Sequence, residues 1–185
     1  MPKEMQREEV IVSSETEAYQ HTEIKNSEES LRKEKKKHLI FSLEGKRYGI
    51  PLSLIKEVIG MCNITPIPRV PAFYKGMINI RGQIISVIDL RVKLSLKEAP
   101  VEAKKTSIII SHVGDILVGT IVDEVLDVTG YHCEQIDYNE AERMARTGDG
   151  VYGVAKESEG DLTLLIDIEK ALGNSDFKVI KEKAA

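Results

Sequence analysis

The stretch YKGMINIRGQIISVIDLRVKL, residues 74–94, decides the fold. It is apolar almost throughout, yet Arg81 stands near its middle. An unpaired guanidinium is not left inside a core, and the following Gly82 supplies the backbone freedom that a tight reversal needs. The stretch therefore predicts a β-hairpin of two strands, Lys75–Ile80 and Gln83–Leu90, with Arg81 on the tip in water. A second copy lies downstream as YGVAKESEGDLTLLIDIEKAL, residues 152–172. The leading Tyr, the Gly eight positions on (Gly82, Gly160), the Ile-Asp pairs (Ile88-Asp89, Ile166-Asp167) and the final Leu coincide without gaps. Arg81 falls opposite Glu159, so the turn alone does not dictate a positive charge.

The repeat extends upstream. HLIFSLEGKRYG from His38 lines up with SIIISHVGDILVG from Ser107, with Ser42 and Gly45 set against Ser111 and Gly114. The chain reads as two variants of one β unit. Each unit, at roughly 55 to 65 residues, is marginal alone, so the expectation is two lobes, 38–94 and 107–172, sharing an apolar seam with a groove between them. Short Ile, Val and Leu runs bounded by Gly and Pro recur throughout this region, the pattern of an all-β sandwich or barrel. Further strands are predicted at Leu39–Leu43, Lys46–Pro51, Ser107–His112, Ile116–Val122, Val151–Lys156 and Leu162–Ile168, with weaker ones at Ile55–Ile59 and Val125–Thr129. Residues 97–105 are polar and read as a loop, and 173–185 as a tail or frayed helix. Residues 1–37 mix Glu, Lys, Ser and Gln with few apolar anchors, which predicts a disordered charged tail.

Composition narrows the function classes. The chain has 185 residues, 42% hydrophobic and 30% charged, with a formal net charge of −4. That balance gives no electrostatic footprint for nucleic acid, and a stacking platform for single strands is unpromising with no Trp and three Phe. An apolar run long enough to span a membrane is absent, and the first residues lack signal-peptide character, so the expected location is cytoplasmic. Cys62 and Cys133 are expected to be free thiols.

Catalytic groupings are scarce. His132-Cys133 is the nearest approach to a metal pair, but adjacent residues on extended chain point to opposite faces and no spacing completes four ligands; neither metal nor cofactor is expected. Asp89 and Asp167 each end a β run and precede a short segment of helical spacing, so they read as helix N-caps. Asp123, Glu124 and Asp127 read as an exposed acidic face. The rival enzyme would be a hydrolase or metal enzyme built on Asp89, Asp167, His112 and His132. Binding surface is the alternative, with LIKEVIGM, residues 54–61, and the Arg81 hairpin as the candidate patch. Leu54, Ile55, Val58 and Ile59 also fit the inward face of a helix, so spacing leaves patch and core open.

The segments YGIPLSLIKEVIG, ITPIPRVPAFYKGMINIRGQIISVIDLRVKL, IIISHVGDILVGTIVDEVLDV and LTLLIDIEKAL together resemble the CheW family of bacterial chemotaxis coupling proteins, from about His38 to Leu172. The resemblance implies two SH3-like five-stranded β-barrel lobes about a shared apolar core. It implies a non-enzymatic adaptor that couples the cytoplasmic tips of methyl-accepting chemoreceptors to the regulatory domain of the histidine kinase CheA, in arrays at the inner face of the membrane and without inserting into it. Carried over by motif, the receptor-facing residues are Ile55, Glu57, Gly76 and Arg81, and the kinase-facing ones Val58 and Ile64. The long charged tail departs from the compact family pattern.

Overall fold

A computed structural model describes residues 35–97, 105–144, 150–157 and 160–184. Its strands are β1 (Lys36–Leu43), β2 (Lys46–Pro51), β3 (Ile55–Gly60), β4 (Tyr74–Ile80), β5 (Gln83–Asp89), β6 (Ser107–Val113), β7 (Ile116–Val122), β8 (Glu124–Tyr131), β9 (Ile136–Asp137), β10 (Val151–Lys156) and β11 (Leu162–Ile166). Among the described residues three helices accompany them: α1 (Leu90–Lys93), α2 (Tyr138–Met144) and α3 (Ile168–Ala184). The protein is thus mainly β, and every strand expected from the sequence is present. The described part of the expected tail is different: Lys36 and Lys37 already belong to β1, while residues 1–34 and 98–104 lie outside the described residues.

The strands form two sheets, ordered β8-β1-β2-β11-β10-β9 and β3-β6-β7-β5-β4. The two orders are the same order. β1, β2, β8, β10 and β11 of the first occupy the places of β6, β7, β3, β4 and β5 of the second, including one parallel pairing in each, β2 with β11 and β7 with β5. The segments 38–94 and 107–172 are therefore the two repeats but not the two sheets. Each repeat gives its first hairpin to one sheet and its later strands to the other, so the chain passes between sheets at β2–β3 and again at β7–β8. The sheets hold six and five strands rather than five each. The sixth is the two-residue β9, whose counterpart beside β4 is the single bridge Thr65–Met77. Neither sheet closes into a barrel by strand pairing among the described residues.

In the upstream pair the repeat register is shifted from the alignment of Ser42 with Ser111. Pairing sets Leu43 against Lys46 and Val113 against Ile116, which makes Phe41, not Ser42, the equivalent of Ser111. The two later hairpins differ in length: Arg81-Gly82 closes β4–β5, whereas five residues join β10 to β11. A slip of one residue flips every side chain to the other face of a sheet, so packing decides the register.

Alternation along the strands builds three cores. Ile40, Tyr131, Ile136, Ala155 and Leu165 fill the six-stranded sheet's own interior. Ile78, Ile85, Val87, Ile108, Ile110 and Ile121 fill that of the five-stranded sheet. The residues next in sequence, among them Leu39, Phe41, Ile88, Ile109 and Ile166, turn the opposite way into one shared seam. Both faces of these strands are buried, which explains their unbroken apolar runs. Helix α3 continues past a kink at Gly173 and adds the fully buried Ile180 to the seam, so the expected frayed end is in fact packed.

Candidate functional site

Arg81 and Gly82 both have positive φ, 51° and 85°, the combination of a type I′ hairpin turn, whose twist matches that of the flanking strands. The Gly82 N–H donates to Asn79 Oδ1 at 2.9 Å, which fixes the tip. The Arg81 side chain is 86% exposed, as expected for the tip, and its Nη2 lies 3.7 Å from Glu57 Oε2 on β3. Lys56 on the same strand donates to Gln83 Oε1 beside the turn. β3 and β4 are the two edges of this sheet, so the sheet curls until the tip meets the opposite edge. A pair this exposed contributes at most about 1 kcal/mol. The guanidinium therefore keeps most of its donors for an incoming acceptor.

Along β3, Ile55, Glu57 and Ile59 are half-buried while Lys56, Val58 and Gly60 are exposed. This overturns the helical option for residues 54–61: the segment is a strand after a short 3-10 turn at Leu52–Leu54, and Val58, at 41% exposure, points away from the core. Ile55 packs against the shared seam and Ile59 against the five-stranded sheet's interior. Gly76 is buried at φ 142°, where a Cβ would lie 2.2 Å from the Thr65 carbonyl oxygen and 2.8 Å from Ile64 Cγ2. Glycine here is a packing requirement: it lets residues 64–65 close over β4, with Thr65 and Met77 exchanging N–H···O bonds of 2.8 and 2.9 Å. Of the six site residues expected from the sequence, Glu57 meets Arg81 and Ile64 meets Gly76. All six belong to the five-stranded sheet, its β4–β5 turn or the segment bridged to it, and Ile84 on β5 of the same sheet is 50% exposed.

The acids and histidines of the rival reading separate into other roles. Asp89 caps α1 by accepting the Arg91 N–H and is paired with the Arg91 guanidinium at 2.9 Å. Asp167 accepts the Lys170 N–H at 3.2 Å at the start of α3. His132 precedes the 3-10 turn Cys133–Gln135 and joins it through its backbone, its N–H donating to Gln135 Oε1 at 2.9 Å. Among the described residues, Asp167 and His112 line one apolar cleft of about 480 Å³ between Ile50, Leu54, Tyr138 and Tyr152. No group of three or more His, Cys, Asp or Glu among the described residues is arranged to hold a metal ion. The expected acidic face is corrected at one position: Asp123 is not a solvated acid but accepts from Arg91 Nη1 at 2.7 Å.

Two features were missed. One is Arg91 itself, 3% exposed between Asp89 and Asp123; the adjacent Asp and Arg in IDLR signalled a local pair, but Asp123 lies too far along the chain for spacing to reveal. Its two carboxylate neighbours, Asp89 foremost, hold the guanidinium more firmly protonated than usual against the opposing effect of burial. The other is buried His38, whose ring nitrogens meet the Lys36 carbonyl at 2.9 Å and the Tyr152 hydroxyl at 3.0 Å. Burial lowers the His38 pKa. Burial, with Tyr138 and Asp167 nearby, pushes the Tyr152 phenol up to about 12.

A duplicated two-sheet body that presents an exposed arginine on a hairpin tip, set against an acid of its own edge strand, has the build of a protein-binding module. The chain belongs to the CheW-like domain family, whose model matches residues 37–176. It is 34% identical over 147 residues to the chemotaxis protein CheW of Klebsiella aerogenes, covering 79% of this chain and 87% of that one. The CheW of Thermotoga maritima is 31% identical over 135 residues, 72% of this chain and 85% of the relative. The crystal structure of the scaffolding protein TtCheW from Thermoanaerobacter tengcongensis superimposes with a TM-score of 0.69 at 30% identity, covering 77% of this chain and 95% of that one.

Proposed function

We propose that this protein is a chemotaxis adaptor that couples membrane chemoreceptors to the histidine kinase CheA, holding both at once rather than performing chemistry. Family membership supports the reading, and the observation that carries it is the Arg81 tip set against Glu57 on the edge strand. Ile55, Glu57 and Arg81 take the receptor's helical hairpin tip, with Arg81 forming a charge-assisted bond to a carboxylate or carbonyl. Gly76 serves the same surface indirectly by letting residues 64–65 pack down. Val58 and Ile64 face the kinase's regulatory domain. Each sheet acts as an SH3-like lobe; support comes from the curl that carries the β4–β5 tip to β3. The working location is the cytoplasmic face of the receptor array; no helix among the described residues is long and apolar enough to cross a membrane.

The test is titration of a soluble receptor-tip fragment against the native protein and Arg81→Ala. An interface arginine of this kind is worth about 2 kcal/mol when truncated, so receptor affinity falls at least about tenfold while the melting temperature and CheA binding hold. Unchanged receptor affinity removes Arg81 from the site.

A further inference from the structure

The chain crosses from the five-stranded to the six-stranded sheet at a single residue. Val122 ends β7, Glu124 begins β8, and only Asp123 lies between. Such a crossing is a bend that the backbone alone does not hold at one angle, because a residue between two strands retains two soft dihedrals. Asp123 is gripped from both sides. One carboxylate oxygen accepts from Arg91 Nη1 at 2.7 Å, next to β5 of the five-stranded sheet. The other accepts the Glu44 N–H at 2.7 Å in the β1–β2 turn of the six-stranded sheet, and the Asp123 N–H donates to Ser42 O at 3.1 Å. Arg91 is itself held by Asp89, with Nε and Nη2 each 2.9 Å from a carboxylate oxygen.

Local structure does not require this arginine. The cap of α1 needs only the Asp89 carboxylate and a backbone N–H; removing Arg91 alone costs stability by leaving buried Asp89 without its closest cation, but nothing in the cap calls for a second carboxylate at the bend. What a planar guanidinium adds is direction: its fork fixes on Asp89 and aims a further donor at the bend. We propose that Arg91 is a positioning residue that sets the angle between the two sheets by pinning Asp123, and so fixes where the surface of one sheet stands relative to that of the other. For an adaptor this determines how one partner is held with respect to the second. That consequence rests on the proposed function; the pinning itself does not.

Native cysteines provide the ruler. Cys62 follows β3 in the five-stranded sheet and Cys133 sits between β8 and β9 in the six-stranded sheet; both are free, one exposed and the other half-buried. Nitroxide labels on the two report the inter-sheet distance by pulsed electron spin resonance on the full chain, with no partner present, so failure of the adaptor reading leaves this measurement intact. The native protein gives one narrow distance. Arg91→Met broadens the distribution at least about twofold or shifts its mean by about 3 Å, while far-UV circular dichroism and a cooperative melt show an intact fold. Arg91→Lys, which restores a cation beside Asp123, recovers most of the native width. Asp123→Asn keeps an acceptor for the Glu44 N–H but loses the charge, so it broadens the distance less and carries the test if Arg91→Met fails to fold. A native-like distribution in whichever of Arg91→Met and Asp123→Asn folds overturns the proposal, as does broadening in Arg91→Met that Arg91→Lys leaves unrelieved.

Discussion

Replacing Gly76 by alanine tests the packing account of the site most directly. The added Cβ would lie 2.2 Å from the Thr65 carbonyl oxygen, so the 64–65 segment must retreat by about 1 Å, enough to spoil both N–H···O bonds between Thr65 and Met77. Those bonds contribute about 1 kcal/mol each. The φ of 142° adds strain for any residue with a Cβ, of order 1–3 kcal/mol. The expected loss is about 3–5 kcal/mol, a large share of the roughly 5–15 kcal/mol that holds a domain folded. Two other glycines calibrate the result. Gly82 has φ 85° with open space around its missing Cβ, so Gly82→Ala costs strain alone, about 1–2 kcal/mol. Gly60 has neither strain nor a neighbour within 4 Å, so Gly60→Ala stays within about 0.5 kcal/mol. Urea unfolding followed by circular dichroism gives all three values. A Gly76→Ala protein as stable as Gly60→Ala, with the Met77 amide still protected from exchange, refutes the reasoning.

Acid should weaken the fold through His38. Burial holds its pKa below the ordinary value, so its contribution is complete above the unfolded pKa of about 6.5 and is lost as pH falls through the lowered folded value; urea midpoints compared with those of His38→Gln isolate this slope, and identical pH dependence in the two proteins rules His38 out. Truncating the end of α3 should be costly despite its polar sequence. Ile180 is fully buried in the shared seam, so Ile180→Ala lowers stability by about 2–5 kcal/mol, and a change within experimental error in the thermal melt would mean that the helix does not pack there.

Much of this molecule was legible as text because much of it is local. The strands announce themselves by apolar runs between turn residues, Arg81-Gly82 by the cost of burying a charge, and Asp89 and Asp167 by the caps that short helices need. The same locality limited the site. Spacing could not tell whether Val58 lies in a helix facing inward or in a strand facing out. Gly76 entered only as a receptor-facing residue carried over by motif, with nothing to show that Thr65 packs against it. Arg91 offered only its sequence neighbour Asp89 as a partner, because its second carboxylate, Asp123, comes from the other repeat.

By itself, then, the amino-acid order determined which segments become strands, where the chain turns, that the unit is doubled, and that a charge stands on one hairpin tip. These follow from side-chain period and backbone preference within a few residues. Tertiary structure alone decided that the repeats exchange hairpins, that each sheet is joined at its middle by a parallel pair drawn from both halves, and that one buried arginine grips the crossing. Those choices depend on which faces bury together in the shared seam, a property of strands distant in sequence that no single segment encodes.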